Sequence, residues 1–406
     1  MIVRILSLVA FLFATVLSVS AQTRDEIVIG AIGPFSGPGS ANGIDLRQGL
    51  EFALQEINAE GGIEIDGKKR KVVVLFEDSQ ARPEVGLSAA QKLILRDKVD
   101  IVIGDMFSSS VALAIMDFVA DSNKVMLTGN PVSQEIAKKI ASDLKRYGNV
   151  WKFMFNADAF ATSTYETISY LLAQKAISAP NKTIAHISEE TDYGKSQVEM
   201  LNAIFKKNGW NVVSTDFIPS GNSDFYPQLS KLRSVKPDVI VSSITALNSG
   251  AALVKQMKEQ GVAGFHFGIF YPSRPEFLKA AGKAAEGLVH APLYFDPVND
   301  PKGKEFDAKM RPFVKKDVST SHFFGYCNGR LLFDAIKRAG SVETKSLSKA
   351  LSETDFRCLQ IRWVFRPDDH SPVMGPQHFA VPSAQIQDGG WHAIWPETLA
   401  TSKYRP

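Results

Sequence analysis

Short apolar runs alternate with helix-like segments in the N-terminal third of the chain. The runs have the length and composition of buried parallel strands. They lie at residues 27–32, 71–77, 100–104 and 124–128. After the first run, Leu46, Leu50, Ala53 and Ile57 recur at helical spacing, and glycines follow. This alternation predicts a parallel sheet with right-handed crossovers and helices on both faces.

The same alternation resumes near residue 160. Predicted strands lie at 183–188, 211–218, 238–243 and 264–270, with helical segments between them. Two helices at about 302–315 and 322–339 follow, and the tail from Phe356 has short strands and turns. We therefore expect a second α/β unit of the same kind, followed by a return of the chain.

Three extended segments are candidates for crossings between the two units. They lie at residues 150–155, 287–295 and 362–366. The fold class predicted is α/β, with two Rossmann-like lobes joined by a three-segment hinge that restricts them to opening and closing. The predicted N-terminal lobe comprises residues 22–152 and 292–362. The predicted C-terminal lobe comprises residues 153–291 and 363–406.

The first 21 residues have the features of a secretory signal peptide. Arg4 precedes an apolar run at 5–16, and Ala21 ends a group of small residues suited to cleavage. The run is shorter than the roughly 20 residues that span a bilayer, which argues against a retained anchor. We expect a soluble protein exported to the periplasm and cleaved after Ala21.

Composition excludes several classes of function. The net charge is +3 over 406 residues, without the strong basic excess of a nucleic-acid binder. Cys327 and Cys358 with scattered histidines give no zinc-binding spacing. An exported chain permits a disulfide, which would contribute roughly 3 kcal/mol, but two separate buried thiols are equally compatible with the sequence.

The glycine-rich segment at residues 29–43 resembles a nucleotide loop only superficially. Its third glycine falls one place late for G-x-G-x-x-G, and no Gly-Lys-Ser/Thr follows. Ser36 is displaced by one position from a nucleophile elbow. We therefore expect no cofactor, metal or catalysis, and interpret the segment as one wall of a ligand cleft.

Polar residues follow the strands of the first unit, at what would be one edge of the sheet. Asp105 precedes three serines that include Ser108 and Ser109, and the next strand leads to Asn130 and Ser133. Hydroxyls and N–H groups at a helix start can bind a carboxylate. Simple N-capping explains one serine, but three in succession favour a ligand role.

The second unit offers a matching edge. Asp192 and Tyr193 follow its first strand, and Ala246 and Phe270 follow later strands. Ligands of open α/β sheets bind beyond the carboxyl ends of the strands, so both edges should face one cleft. Phe35, Phe107 and Phe270 are candidates for its apolar wall.

Several motifs together resemble a known family. They are the signal peptide, "IVIGAIGPFSGPGSANG", "INAEGGI", "VVLFEDSQ", "VIGDMFSSS" and "TDYGKS". In this order they are similar to the type I periplasmic solute-binding proteins of ABC transporters, in particular the Leu/Ile/Val-binding proteins. The resemblance implies two lobes that close on one solute, with Ser108 at its carboxylate, Asn130 and Ser133 nearby, and Tyr193 on the second lobe.

One departure affects the expected ligand. The family's amino-acid binders hold the α-ammonium with an acid shortly after the strand "GIF", where this chain has Tyr271 and, some way on, Glu276. Ala246 also stands where an aromatic residue is common. We expect a branched-chain amino acid or a similar small carboxylate, with an amine-free aromatic or aliphatic acid as the hypothesis. Asp105, Asp192 or Glu190 are candidates to replace the missing acid.

The resemblance also implies partners. A monomer would deliver its solute to the membrane permease and ATPase of an ABC importer, without catalysis. A periplasmic sensor of the same fold is the alternative, and an exported hydrolase lacks any supporting motif.

Overall fold

The computed structural model describes residues 25–406, so the predicted signal peptide lies outside the described residues. A six-stranded sheet forms the core of the N-terminal lobe. Its strands are β1 (Glu26–Gly33), β2 (Ile63–Ile65), β3 (Lys68–Asp78), β4 (Ile101–Ile103), β5 (Val125–Leu127) and β6 (Val150–Trp151). The order is β2-β3-β1-β4-β5-β6, parallel except for the β2–β3 hairpin, as the alternation of apolar runs predicts.

Four helices connect these strands. They are α1 (Ser40–Ala59), α2 (Pro83–Gln91), α3 (Ser109–Asp121) and α4 (Gln134–Ser142). A turn of π-helix at Lys92–Arg96 continues α2. Helix α4 is not predicted from the sequence, because the loop before it is rich in turn residues. The basic residues Lys68–Lys71 begin β3, and Asp66 and Gly67 form the turn that joins it to β2.

A seven-stranded mixed sheet forms the core of the C-terminal lobe. The remaining strands are β7 (Thr183–Glu189), β8 (Asn211–Ile218), β9 (Val239–Ile244), β10 (Phe265–Phe270), β11 (Val289–Ala291), β12 (Asp355–Cys358), β13 (Ile361–Val364), β14 (Ser383–Gln387) and β15 (Gly390–Trp395). The sheet order is β15-β14-β11-β10-β9-β7-β8, and β12 and β13 form a separate hairpin. Strands β14 and β15 are antiparallel additions to a parallel sheet.

Eight helices follow in the rest of the described chain; six match predicted helical segments, and two short ones, at residues 275–281 and 344–352, were not predicted. They are α5 (Ala157–Ala173), α6 (Asp192–Lys207), α7 (Tyr226–Val235), α8 (Leu247–Glu259), α9 (Pro275–Ala281), α10 (Pro301–Val314), α11 (Thr320–Ala339) and α12 (Thr344–Ser352). Helix α11 packs along α1, so the segment from α10 to β13 belongs with the N-terminal lobe. Among the described residues, no helix combines the length and apolar character that crossing a membrane requires.

The chain therefore passes between the two sheets three times, after β6, after β11 and after β13. The first and third passages are joined directly. The imidazole Nδ1 of His370 lies 2.8 Å from the carbonyl oxygen of Val150, and its ring stacks on Trp151. These passages coincide with the predicted crossings, while the exact lobe boundaries stay a prediction.

A disulfide joins Cys327 of α11 to Cys358 of β12, which resolves the alternatives left open by the sequence. It fastens the β12–β13 hairpin to the helix that packs on α1. Both cysteines lie in the segment from α10 to β13, so the bond does not link the two large sheets.

Replacing both cysteines with serine should lower the free energy of unfolding. The bridge spans 31 residues, and closing a loop of this length contributes about 3–4 kcal/mol in the chain-entropy model. Chemical denaturation of the double variant and of the unreduced parent would measure the difference. Equal midpoints would contradict a stabilising role, and solute binding should be retained in both because the bond does not cross the lobes.

Candidate functional site

A cavity of about 350 Å³ lies between the lobes, at the carboxyl ends of the strands of both sheets. This volume falls in the range of small-molecule sites. Of the predicted site residues, six line it: Phe107, Ser108, Ser109, Asn130, Tyr193 and Phe270. The other five, Phe35, Asp105, Ser133, Asp192 and Ala246, are not part of the lining.

The serine turn after β4 is one polar wall of the cavity. Ser108 is the N-cap of α3, and its Oγ accepts a 3.4 Å hydrogen bond from the N–H of Val111. The Oγ of Ser109 accepts from the N–H of Ser133, 3.2 Å away. Among the described residues nothing accepts from the N–H groups of Ser109 and Ser110, which therefore remain available to an anion.

Asp105 lies behind this turn rather than in the cavity. Its Oδ1 accepts hydrogen bonds from the N–H groups of Phe107 and Ser108, and its Oδ2 from Ser79. It is fully buried, and burial raises its pKa to about 6. Asp105 thus positions the serine turn. It also accepts hydrogen bonds from two N–H groups of this turn, which are therefore not available to a solute.

The loop after β5 carries two predicted site residues, and they have different roles in the structure. Asn130 lines the cavity, is 7% exposed, and has no partner for its amide among the described residues. Ser133 instead caps α4 through the N–H of Glu135, and its Oγ lies 3.0 Å from the Oγ of Ser196 in α6. Ser133 therefore joins the two lobes beside the cavity.

In the C-terminal lobe, Tyr193 is buried in the first turn of α6, and its hydroxyl has no partner among the described residues. Asp192 precedes it on the same turn, outside the lining. Ala246 caps α8, where its N–H donates to Glu189.

The acid of the cavity lining is Glu189, which the sequence analysis missed by one position in favour of Glu190. Its carboxylate accepts from the N–H groups of Thr245 and Ala246 and from the hydroxyl of Thr245. Burial raises its pKa. Glu276 is not in the lining and instead lies 3.4 Å from Arg274. The sequence could have indicated Glu189 by its position, because it is the last residue of β7 and the cavity lies at the ends of the strands.

Aromatic rings make up much of the remaining wall. Phe107 and Phe270 come from opposite lobes, with ring centroids 5.7 Å apart, and Phe160 and Phe324 also line the cavity. Phe270 has φ 78° and ψ −63°, a γ-turn conformation that is rare and strained. Phe35 points elsewhere, packing edge-on against Phe76.

A second missed element is the turn after β3. Gln80 and Ala81 have φ values of 53° and 57°, in the left-handed region, and both line the cavity with Arg82. The guanidinium of Arg82 is largely exposed and pairs with Glu84. Arg82 is the one cationic residue of the lining, and it lies on the same lobe as the serine turn.

Comparison with known proteins identifies the family. The sequence model described as periplasmic binding protein matches residues 26–389. The chain belongs to the periplasmic binding protein family.

Curated and solved relatives agree with this assignment. A Leu/Ile/Val-binding protein homolog of Brucella melitensis is 27% identical over 86% of this chain and 89% of its own length. A solute-binding protein of Rhodopseudomonas palustris, solved with benzoate, has a TM-score of 0.78 at 18% identity, covering 91% of this chain and 95% of its own. A Streptococcus pneumoniae binding protein solved with isoleucine has a TM-score of 0.76 at 21% identity, covering 91% and 100%.

The predicted fold class and family are therefore confirmed, and the chain belongs to a family of binding proteins rather than of enzymes. The relatives named here take solutes of two kinds, an amino acid and an aromatic acid.

Replacing Asp105 with Asn should stabilise the binding protein at neutral pH. Burial raises the pKa of this carboxyl above its unfolded value, so ionisation costs folding free energy as pH rises from about 4 to 6. Asn can still accept from the two N–H groups without a charge. We expect the free energy of unfolding at pH 8 to rise by about 1–3 kcal/mol, and the gain to vanish near pH 4.

Denaturation at several pH values would measure this gain. Asp78→Asn is the matched contrast: burial opposes ionisation there too, but hydrogen bonds from Ser36, Gln80 and Phe35 outweigh it and lower the pKa. This variant should be destabilised at neutral pH. A destabilised Asp105→Asn at pH 8 would contradict the account of Asp105.

Proposed function

We propose that this periplasmic binding protein captures a small monocarboxylate with an apolar body and favours acids that lack an amino group. The proposal rests on one observation. The serine turn, whose N–H groups are available to an anion, lines the same cavity between the lobes as a group of aromatic rings. The relative solved with benzoate shows that the family's fold accommodates such solutes.

The carboxylate would bind on the N-terminal lobe. The free N–H groups of Ser109 and Ser110 and the unpartnered amide of Asn130 supply donors, and Arg82 adds a positive charge at the mouth. Charge-assisted hydrogen bonds of this kind are roughly twice as strong as neutral ones. A few of them with one buried ring reach about −8 kcal/mol, which corresponds to micromolar affinity.

The apolar body would lie among Phe107, Phe160, Phe270 and Phe324. Offset and edge-to-face ring contacts suit a planar aromatic solute and also accept a branched aliphatic one.

An ammonium group has a less favourable place. Glu189 is the one acid in the lining, and its carboxylate already accepts three hydrogen bonds from Thr245 and Ala246. A solute ammonium would have to share these oxygens while losing its hydration, and an imperfectly paired buried charge is costly. Amine-free acids avoid this cost.

We further propose that the chain is exported, cleaved after Ala21, and delivers its solute as a monomer to a membrane permease and its ATPase. The family assignment supports this route. Mass spectrometry of protein purified from the periplasm would test the cleavage site.

A thermal-shift panel should distinguish the solute classes. We expect benzoate and simple aliphatic acids to raise Tm more than leucine, isoleucine or valine, because only the amino acids need a partner for their ammonium. Stabilisation by leucine with none by amine-free acids would refute the preference. Failure of every small carboxylate would refute the carboxylate proposal itself.

Two substitutions test the proposed roles of Asn130 and Glu189 in solute binding. Asn130→Ala should weaken binding of the stabilising acid by about tenfold or more, because one hydrogen bond to a charged group is lost. Glu189→Gln should leave amine-free acids bound, and would abolish binding if the solute is an amino acid held there. Ser88→Ala, on the exposed face of α2, is the control and should change neither Kd. Calorimetric titration measures all three.

A further inference from the structure

A buried charged side chain joins the two lobes outside the cavity. Arg274 precedes α9 in the C-terminal lobe and reaches α1 of the N-terminal lobe. Its Nη2 lies 2.9 Å from Oδ2 of Asp45, and its Nη1 lies 2.6 Å from Oδ1 of Asn42. The side chains of Arg274 and Asp45 are only 3% and 1% exposed. This is a buried ion pair between the lobes, and neither residue lines the cavity.

The acceptor is prepared for this contact within its own lobe. Asp45 also accepts from Nζ of Lys316 at 2.5 Å and from Oγ of Ser319 at 2.6 Å. His322 lies 3.4 Å away. Arg274 in turn has Glu276 of its own lobe at 3.4 Å. Neither charge would be left without a partner if the lobes separated, so the contact can form and break without unfolding either lobe.

The position of Arg274 connects this contact to the cavity. The strained turn at Phe270 places its ring in the cavity wall, and four residues later the same chain segment presents Arg274 to α1. In this structure the ion pair and the contact between the rings of Phe270 and Phe107 are therefore made by the same segment of the chain.

We propose that Arg274 is a positioning residue for solute binding: by joining Asn42 and Asp45 it holds the lobes together and raises solute affinity without touching the solute. Desolvation offsets much of the attraction in a buried pair, so the contact biases the lobes towards closure and does not lock them. When the binding-competent form is partly populated, apparent affinity scales with its population. The inference rests on the proposed function only in taking lobe closure as the binding step.

The first test needs no solute. Arg274→Met keeps an unbranched side chain comparable to the aliphatic part of arginine and removes the charge and the hydrogen-bond donors. Small-angle scattering of the solute-free variant should give a larger radius of gyration than the parent, because more molecules are open. An unchanged radius would overturn the proposal, even if no solute had been identified.

The second test uses benzoate, or leucine if the panel selects it. Arg274→Met should raise Kd by about tenfold, mostly through a faster dissociation rate, with the association rate nearly unchanged. Arg274→Lys should fall between, since an ammonium can reach Asp45 but cannot also donate to Asn42 in the same fork geometry. A purely structural role would instead lower the fraction of active protein and leave Kd and the dissociation rate unchanged, which would contradict the proposal.

Lys279→Met is the matched control. Lys279 of α9 pairs with Asp317 of the N-terminal lobe, also between the lobes, but its side chain is 72% exposed. Exposed pairs contribute little, so we expect less than a twofold change in Kd. If Arg274→Met fails to fold, as circular dichroism would show, Arg274→Gln and Arg274→Lys give the same scattering comparison. If Lys279→Met raised Kd as much as Arg274→Met does, any charge pair between the lobes would have the same effect. The proposed role of Arg274 would then be overturned.

Discussion

The structure of the cleft depends on carboxylates that hold backbone N–H groups where strands end. Where a strand ends, the backbone N–H groups of the following loop no longer bond within the sheet and need other acceptors. Asp78 at the end of β3 accepts from Phe35 and Gln80, and so fixes the glycine-rich loop after β1. Asp105 fixes the serine turn, and Glu189 fixes the loop after β9. Three loops of the cleft are thus braced by three acids.

This bracing has an electrostatic consequence. Two of the acids, Asp105 and Glu189, are buried, and burial raises the pKa of each. Under the proposed function the cleft receives an anion while protein carboxylates border it, and the N–H groups that donate to these carboxylates offset most of their charge. The anion would then be placed by the remaining donors, on α3 and on Asn130, and by the exposed guanidinium of Arg82. Asp78 also accepts from the N–H of Gln80 and so holds the left-handed turn after β3.

The sequence predicted the architecture well because strand and helix periodicities are local. Residues directly after strands, such as Ser109, Asn130 and Tyr193, could be placed in the cleft by topology alone. Side-chain direction could not: Phe35 and Asp105 occupy loops at the cleft edge but turn away from it. Glu189 was missed because it counts as the last strand residue, and Arg274 because its partner is 229 positions away. The sequence alone was compatible with a disulfide but could not establish it, because pairing depends on how close α11 and β12 lie in the fold.

The contacts between the lobes are divided by chemistry. Around the cavity they are polar, as in the Ser133–Ser196 and Arg274–Asp45 pairs, while the apolar contact of Phe107 with Phe270 lies where the solute would bind. Polar groups regain water when the lobes part, so such contacts cost little to break. Apolar surface does not, and an extensive apolar seam would keep the lobes shut with or without solute. On the proposed function, a solute with an apolar body would add to the contact between Phe107 and Phe270 and so favour the closed form.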